Sequence, residues 1–186
     1  MAVGLGGGWR PRRTTNCAAL YFKGEGVAQD NPRALALYRA ATEQGDGPAH
    51  DMVSFILLES AAAPDYREAR RFAELAAAQG SSITRLGMIF HNALGVDRDP
   101  AQAASWWRRG AERGDADGQA MLGAAYHLGA GVMRDPIEAF TWLTRAHAGG
   151  SALAARFLDA VRAGLSAQEI AAGERQAAAP LPEPSS

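Results

Sequence analysis

Residues 115–150, DADGQAMLGAAYHLGAGVMRDPIEAFTWLTRAHAGG, decide how this chain folds, because the other ordered parts can be laid onto them. Leu86, Gly87, Phe90, Gly95, Val96, Asp99, Pro100, Ala103, Trp106 and Gly114 lie 36 positions before Leu122, Gly123, Tyr126, Gly131, Val132, Asp135, Pro136, Ala139, Trp142 and Gly150. Ten coincidences at one offset define an internal repeat. A period of this length means stacked supersecondary units, each burying its apolar face on the next.

Two spacings extend the pattern to four units. From an anchor to an aspartate the step is nine residues each time: Tyr21 to Asp30, Ile56 to Asp65, Phe90 to Asp99, Tyr126 to Asp135. From that aspartate to a glycine it is 15: Asp30 to Gly45, Asp65 to Gly80, Asp99 to Gly114, Asp135 to Gly150. The length varies only between that glycine and the next anchor, with steps of 11, 10 and 12 residues, where a surface turn tolerates insertion.

Each unit reads as two helices. Asp99 and Asp135 cap the second helix, with Pro100 and Pro136 at its first position, where a missing N–H costs nothing. In the first unit the proline is displaced by one, so Asn31 is expected to cap. Asp65 with Glu68, and Asp135 with Glu138, have the spacing of a capping box. Leu37, Phe72, Trp106 and Trp142 follow Ala34, Ala69, Ala103 and Ala139 by three, which pairs a large and a small residue on one expected buried face. Gly45, Gly80, Gly114 and Gly150 then end the helix in the left-handed conformation. On the first helix, Leu86-Gly87 and Leu122-Gly123 place a glycine that costs about 1 kcal/mol relative to alanine, so a close helix–helix contact is expected to compensate. Between the helices, Gly24-Glu25-Gly26-Val27 and Gly129-Ala130-Gly131-Val132 read as a turn with positive φ and an apolar plug. Beyond Gly150, residues 152–163 form a helix stopped by Gly164, and Ser166 with Glu169 opens another with a capping box. These helices lid the last apolar face, as solenoids require.

This pattern of Leu-Gly, Tyr three residues on, Gly-x-Gly-Val, Asp-Pro, Ala, Trp and Gly resembles the Sel1-like repeat, a relative of the tetratricopeptide repeat. The resemblance implies an all-α fold, an α/α right-handed superhelical solenoid of about four repeats with C-terminal capping helices. Residues 1–13 are expected to be a disordered lead and 14–45, 46–80, 81–114 and 115–150 the repeats. Residues 151–178 are then the capping helices and 179–186 a disordered tail rich in Pro and Ser. The resemblance also implies a scaffold or adaptor for other proteins. Some cysteine-rich relatives were linked to β-lactam binding or hydrolysis, which gives the alternative of a cell-wall or β-lactam hydrolase. The lone Cys17 sets this chain apart from that subgroup.

Composition agrees with the bland chemistry. Across 186 residues, 19 basic and 20 acidic side chains give a formal charge of −1, so no electrostatic pull toward nucleic acid is expected. The first residues lack the apolar run of a signal peptide, and no stretch is long and apolar enough to span a bilayer, which leaves a cytoplasmic default. Cys17 has neither a disulfide partner nor a zinc-spaced companion. No Ser-x-x-Lys, Gly-x-Ser-x-Gly or His-Glu-x-x-His motif occurs, so the reading is a non-enzyme without cofactor or metal. His91 and His127 are equivalent positions, and His50 lies on the first helix of its unit. Ligation needs nitrogens about 2.0 Å from one ion, whereas neighbouring helix axes stand about 8–10 Å apart, so polar groove residues are the expected role. The expected partner groove is one stripe of the first helices: Phe22, Ser54, Leu57, Thr84, Met88, His91, Asn92, Asp117, Ala124 and His127. The protein is expected to act as a monomer that binds other proteins.

Overall fold

The computed structural model describes residues 10–59, 64–81 and 83–181. It contains ten helices: α1 Arg10–Lys23, α2 Asn31–Thr42, α3 Gly47–Glu59, α4 Tyr66–Ala78, α5 Ile83–His91, α6 Pro100–Glu112, α7 Ala116–Leu128, α8 Pro136–Ala148, α9 Ala152–Ala163 and α10 Ala167–Ala178, with no strand among the described residues. This is the all-α arrangement of helix pairs that the repeat implies. It forms two compact units, one through residue 82 and one from residue 83. In the first, α1 to α4 pack in chain order around Ala34, Tyr38, Val53, Ile56 and Ala69. In the second, α5 to α8 pack in order, and α9 and α10 both lie on α8. Its core is built from Trp107, Leu122 and Trp142 on one side and Phe140, Leu143 and Val161 on the other.

The two constant spacings have a hydrogen-bonding cause. The amide of the capping aspartate donates to the carbonyl of the anchor nine residues back: Asp30 to Tyr21 at 2.9 Å, Asp99 to Phe90 at 3.1 Å, Asp135 to Tyr126 at 3.2 Å. The same aspartate's side chain accepts an amide of the new helix: Arg33 for Asp30, Glu68 for Asp65 and Gln102 for Asp99, each at 2.9 Å. Asp30, not Asn31, is therefore the first cap. Pro32 is tolerated one place further on because the second amide of a helix is also without an internal acceptor. At the far end Gly45, Gly80, Gly114 and Gly150 take φ of 80–85°, so the next amide can reach a carbonyl five residues back, as Ser151 does to Ala146 at 2.9 Å. The expected box closes at Ser166 and Glu169, whose reciprocal bonds measure 2.7 and 3.3 Å. It does not close at the other two sites, because Glu68 pairs with Arg39 and Glu138 accepts the Trp142 indole N–H at 2.9 Å.

Three expectations shift. The fully buried face of the second helices carries the residue four after the alanine: Tyr38, Ala73, Trp107 and Leu143 are at most 2% exposed, while of the residues three after it Leu37, Phe72 and Trp106 are half-buried and only Trp142, at 8%, is buried as expected. Residues i and i+4 stack one turn apart on the line facing the neighbouring helix. Trp106 sits to one side, with the Arg109 guanidinium over its ring at 4.6 Å. Of the apolar plugs, Val132 packs into the core but Val27 is exposed. And α1 starts at Arg10, inside the segment expected to be a lead, while Ala179, the first residue of the expected tail, is held by Arg145, which donates to the carbonyls of Gln176 and Ala179. Residues 1–9 and 182–186 lie outside the described part.

The Leu-Gly steps do mark close contacts. A Cβ on Gly123 would lie 2.8 Å from Leu143 Cγ and 3.1 Å from the Ala139 carbonyl oxygen. On Gly87 it would strike the Trp107 indole at 2.3 Å, so there the glycine admits a side chain and not a backbone. The register is testable by urea unfolding followed by circular dichroism. Trp107→Ala is expected to cost about 3–5 kcal/mol, as buried aromatic truncations do, and Trp106→Ala about 1 kcal/mol or less. The reverse order would place the wrong tryptophan in the core.

Candidate functional site

The ten residues expected on one lining do not share one environment. Ser54 and Leu57 are buried at 0% and 7% exposure, Thr84 and Ala124 at 8% each, and Phe22 packs edge-on against Phe55 at a ring distance of 5.8 Å. The four buried side chains are core, which corrects their assignment to a groove. For α3 the cause is a helix apolar nearly all round and packed on both α2 and α4. For Thr84 it is the absence of neighbouring side chains: Gly110 and Gly118 leave room for its hydroxyl, which donates to the Asp115 carboxylate.

Besides the half-buried Phe22 of α1, what stays accessible of that stripe lies on α5, just past its end, and on α7 of the second unit. Met88 is 42% exposed and Asn92 is exposed beside it. His91 rests on the Trp107 ring at 5.3 Å, and His127 on Phe157 at 6.5 Å. Asp117 accepts the Ser151 hydroxyl at 2.6 Å, so it serves the α7–α9 contact before any ligand. Cys17 is exposed on α1. Among the described residues no three His, Cys, Asp or Glu side chains gather to hold a metal ion, and no helix is long and apolar enough to cross a membrane.

The sequence reading passed over a second feature. A cleft of about 610 Å³ opens in the second unit where the turn after α7 meets α6 and α8. Tyr126, Val132 and Trp142 line it together with Arg108, Arg134, Glu112, Asp135 and Glu138, as does Met133, which is 89% exposed. The Arg108 guanidinium donates to the Tyr126 hydroxyl at 2.6 Å and lies 5.7 Å from the ring centre. Burial raises the Tyr126 pKa above 10.0, with Glu138 and Asp135 adding to the rise and Arg108 opposing it. The available signal was the charge at positions 134 and 138 and the apolar Met133 between helices, which the repeat alone does not call for.

The Sel1 repeat family model matches residues 15–46, 58–81, 81–115 and 116–151. No curated protein matches the chain. Among solved structures it is similar to c5321, a protective antigen present in uropathogenic Escherichia coli strains displaying an SLR fold, at 29% identity and a TM-score of 0.83. That alignment covers 90% of this chain and 37% of the E. coli chain, so this chain spans little more than a third of it. A Sel1 repeat protein from Oxalobacter formigenes matches at 24% identity and a TM-score of 0.76, over 90% of this chain and 72% of that one. Helicobacter pylori cysteine rich protein B matches at 22% identity and 0.56, over 70% and 96%. At these two lower identities the likeness is one of fold.

The Tyr126 environment sets a pH dependence. A phenol whose folded pKa exceeds its unfolded value stabilises the fold fully below the unfolded pKa, and that contribution is lost as pH rises through the folded value. Stability should therefore fall above pH 10.0, and Tyr126→Phe should remove part of that fall. Ultraviolet titration of tyrosinate should show one late-ionising phenol fewer in the variant. An unchanged late component would mean that Tyr126 ionises normally.

Proposed function

The chain belongs to the Sel1 repeat family, and on that premise we propose that it is a non-catalytic scaffold that holds a segment of another protein against the first helices of its second unit. One observation carries this reading: α5 presents Met88, 42% exposed, beside Asn92, although the apolar surface of that helix could have been closed as it is at Leu86 and Ile89. A methionine with three rotatable bonds fits itself to varied apolar partners. The half-buried rings of His91 and His127, supported by Trp107 and Phe157, supply a firm edge on which a partner's backbone or side chains can bond. The geometry suits a helix or extended segment laid across α5 and α7, as in helix-in-groove recognition.

The test is affinity capture with quantitative mass spectrometry, comparing the parent with Met88→Glu/Asn92→Arg. Both positions are exposed, so circular dichroism and melting temperature should be unchanged. Specific partners should be depleted at least tenfold, which corresponds to about 1.4 kcal/mol of binding free energy. Partners retained at parental levels would remove these helices from the interface. Turnover of nitrocefin or muropeptides by the purified parent would replace the scaffold reading with the hydrolase one.

A further inference from the structure

We infer that the outer face of α8 is an interaction surface for α10 of a second copy of this chain, so that two molecules pair by exchanging their α10 helices. The repeat itself does not call for α10 where it lies. In each of the four repeats the second helix packs on the first helix of its own pair, but α10 passes over α9 and lies on α8. The cause is in α9. Counted 36 places on from Leu122, Gly123 and Tyr126, its residues are Leu158, Asp159 and Arg162, so exposed charges replace both the glycine step and the anchor that receive a second helix. One exposed ion pair, Arg162 to Glu174 at 3.9 Å, joins α9 to α10 in place of a packed seam.

The face beneath α10 is shaped for that helix and is particular to α8. Phe140 and Thr141 are 2% and 5% exposed, whereas Ala36, Arg71 and Ser105, which hold the place of Thr141 in the other repeats, are exposed. A Cβ on Gly173 would lie 2.6 Å from Phe140 Cδ1, so only a helix with glycine at this point approaches so closely. Ile170, three residues earlier, packs into the cluster of Phe140 and Val161. The Thr141 hydroxyl donates to Gln176 Oε1 at 2.9 Å, and the Arg145 guanidinium to the carbonyls of Gln176 and Ala179 at 2.6 and 2.9 Å. Gly173 is nevertheless the one buried residue of α10, and a helix with so little buried surface opens at small cost. Gly164 and Leu165 alone separate α9 from Ser166, the cap of α10, and this glycine supplies the hinge. Face and helix are complementary and belong to one chain. When two copies open, each offers the other both halves, and reciprocal exchange closes a two-fold pair that keeps every α8–α10 contact. A partner's α10 competes on equal terms once its concentration nears the effective concentration conferred by a short link, about 1 mM.

The experiment uses full chains carrying Cys17→Ser, so that each added cysteine is the sole thiol. One population carries Thr141→Cys and a nitrogen-15 label, the other Gln176→Cys without label. Mixed at about 1 mM and treated with a short bis-maleimide, they should give a dimer whose intact mass contains one labelled and one unlabelled chain, and dilution to about 10 μM should lower its yield at least tenfold. A chain with both cysteines should crosslink internally at the lower concentration. Gly173→Leu in the Gln176→Cys chain should also lower the mixed dimer at least tenfold, because the helix no longer seats on Phe140. The inference is overturned if the doubly substituted chain crosslinks internally while the mixture yields no dimer, which would fix α10 on its own chain. It is equally overturned if dimers of Gln176→Cys alone form as readily as mixed ones, which would be a collision of exposed helices, or if the mixed dimer survives Gly173→Leu. Absence of the internal crosslink would remove α10 from α8 and overturn it as well.

Discussion

The helix pairs of this protein depend on how closely the first and second helix of each repeat can approach, and residues with little or no side chain set that distance. Between α7 and α8 the missing Cβ of Gly123 lets Leu143 and the Ala139 backbone come within the space a methyl group would fill. Between α5 and α6 the same absence at Gly87 admits the Trp107 indole. Dispersion attraction falls off within an ångström of separation, so the contact area won at such seams outweighs the helix propensity lost at each glycine. Second-helix alanines at 34, 69, 103 and 139 are 0% exposed and give the helix pairs within each unit the same small-residue seam.

Once the helices are this close, the turns have little freedom. In the first, third and fourth repeats the aspartate that caps the second helix uses both ends of its residue, its amide closing the turn onto the anchor's carbonyl and its carboxylate accepting the new helix. A shift by one residue would break both bonds, which is why nine residues separate anchor and cap in those repeats. The glycine past each second helix performs the matching task at the other end. Side chains not consumed by seam or turn are free to differ between repeats, and Met88, Met133 and Arg134 are of that kind.

These repeating constraints were legible from residues alone, because caps, helix stops and glycine steps are local and recur at fixed spacing. The closed capping box at Ser166 was equally legible. What the reading missed depends on angles around the helix axis. Trp106 and Trp107 are adjacent in sequence but about 100° apart in a helix, and only packing shows that Trp107 points at Gly87. Thr84 looked like a groove residue on spacing, and its burial follows from Gly110 and Gly118, which belong to other helices. The cleft was illegible for a related reason: Arg108, Met133 and Trp142 come from three segments.

The seam itself can be tested by the sign of one stability change. Gly123→Ala removes a poor helix former from the middle of α7, so propensity alone predicts a gain of about 1 kcal/mol. A close seam predicts a net loss of about 1–3 kcal/mol, since overpacking forces helices apart. Gly164→Ala is the control, because φ there is −91° and the nearest atom to an added Cβ is 3.6 Å away. Equilibrium unfolding in urea should show Gly123→Ala less stable than the parent and Gly164→Ala at least as stable. A Gly123→Ala protein more stable than the parent would contradict the claim that close helix approach organises the fold.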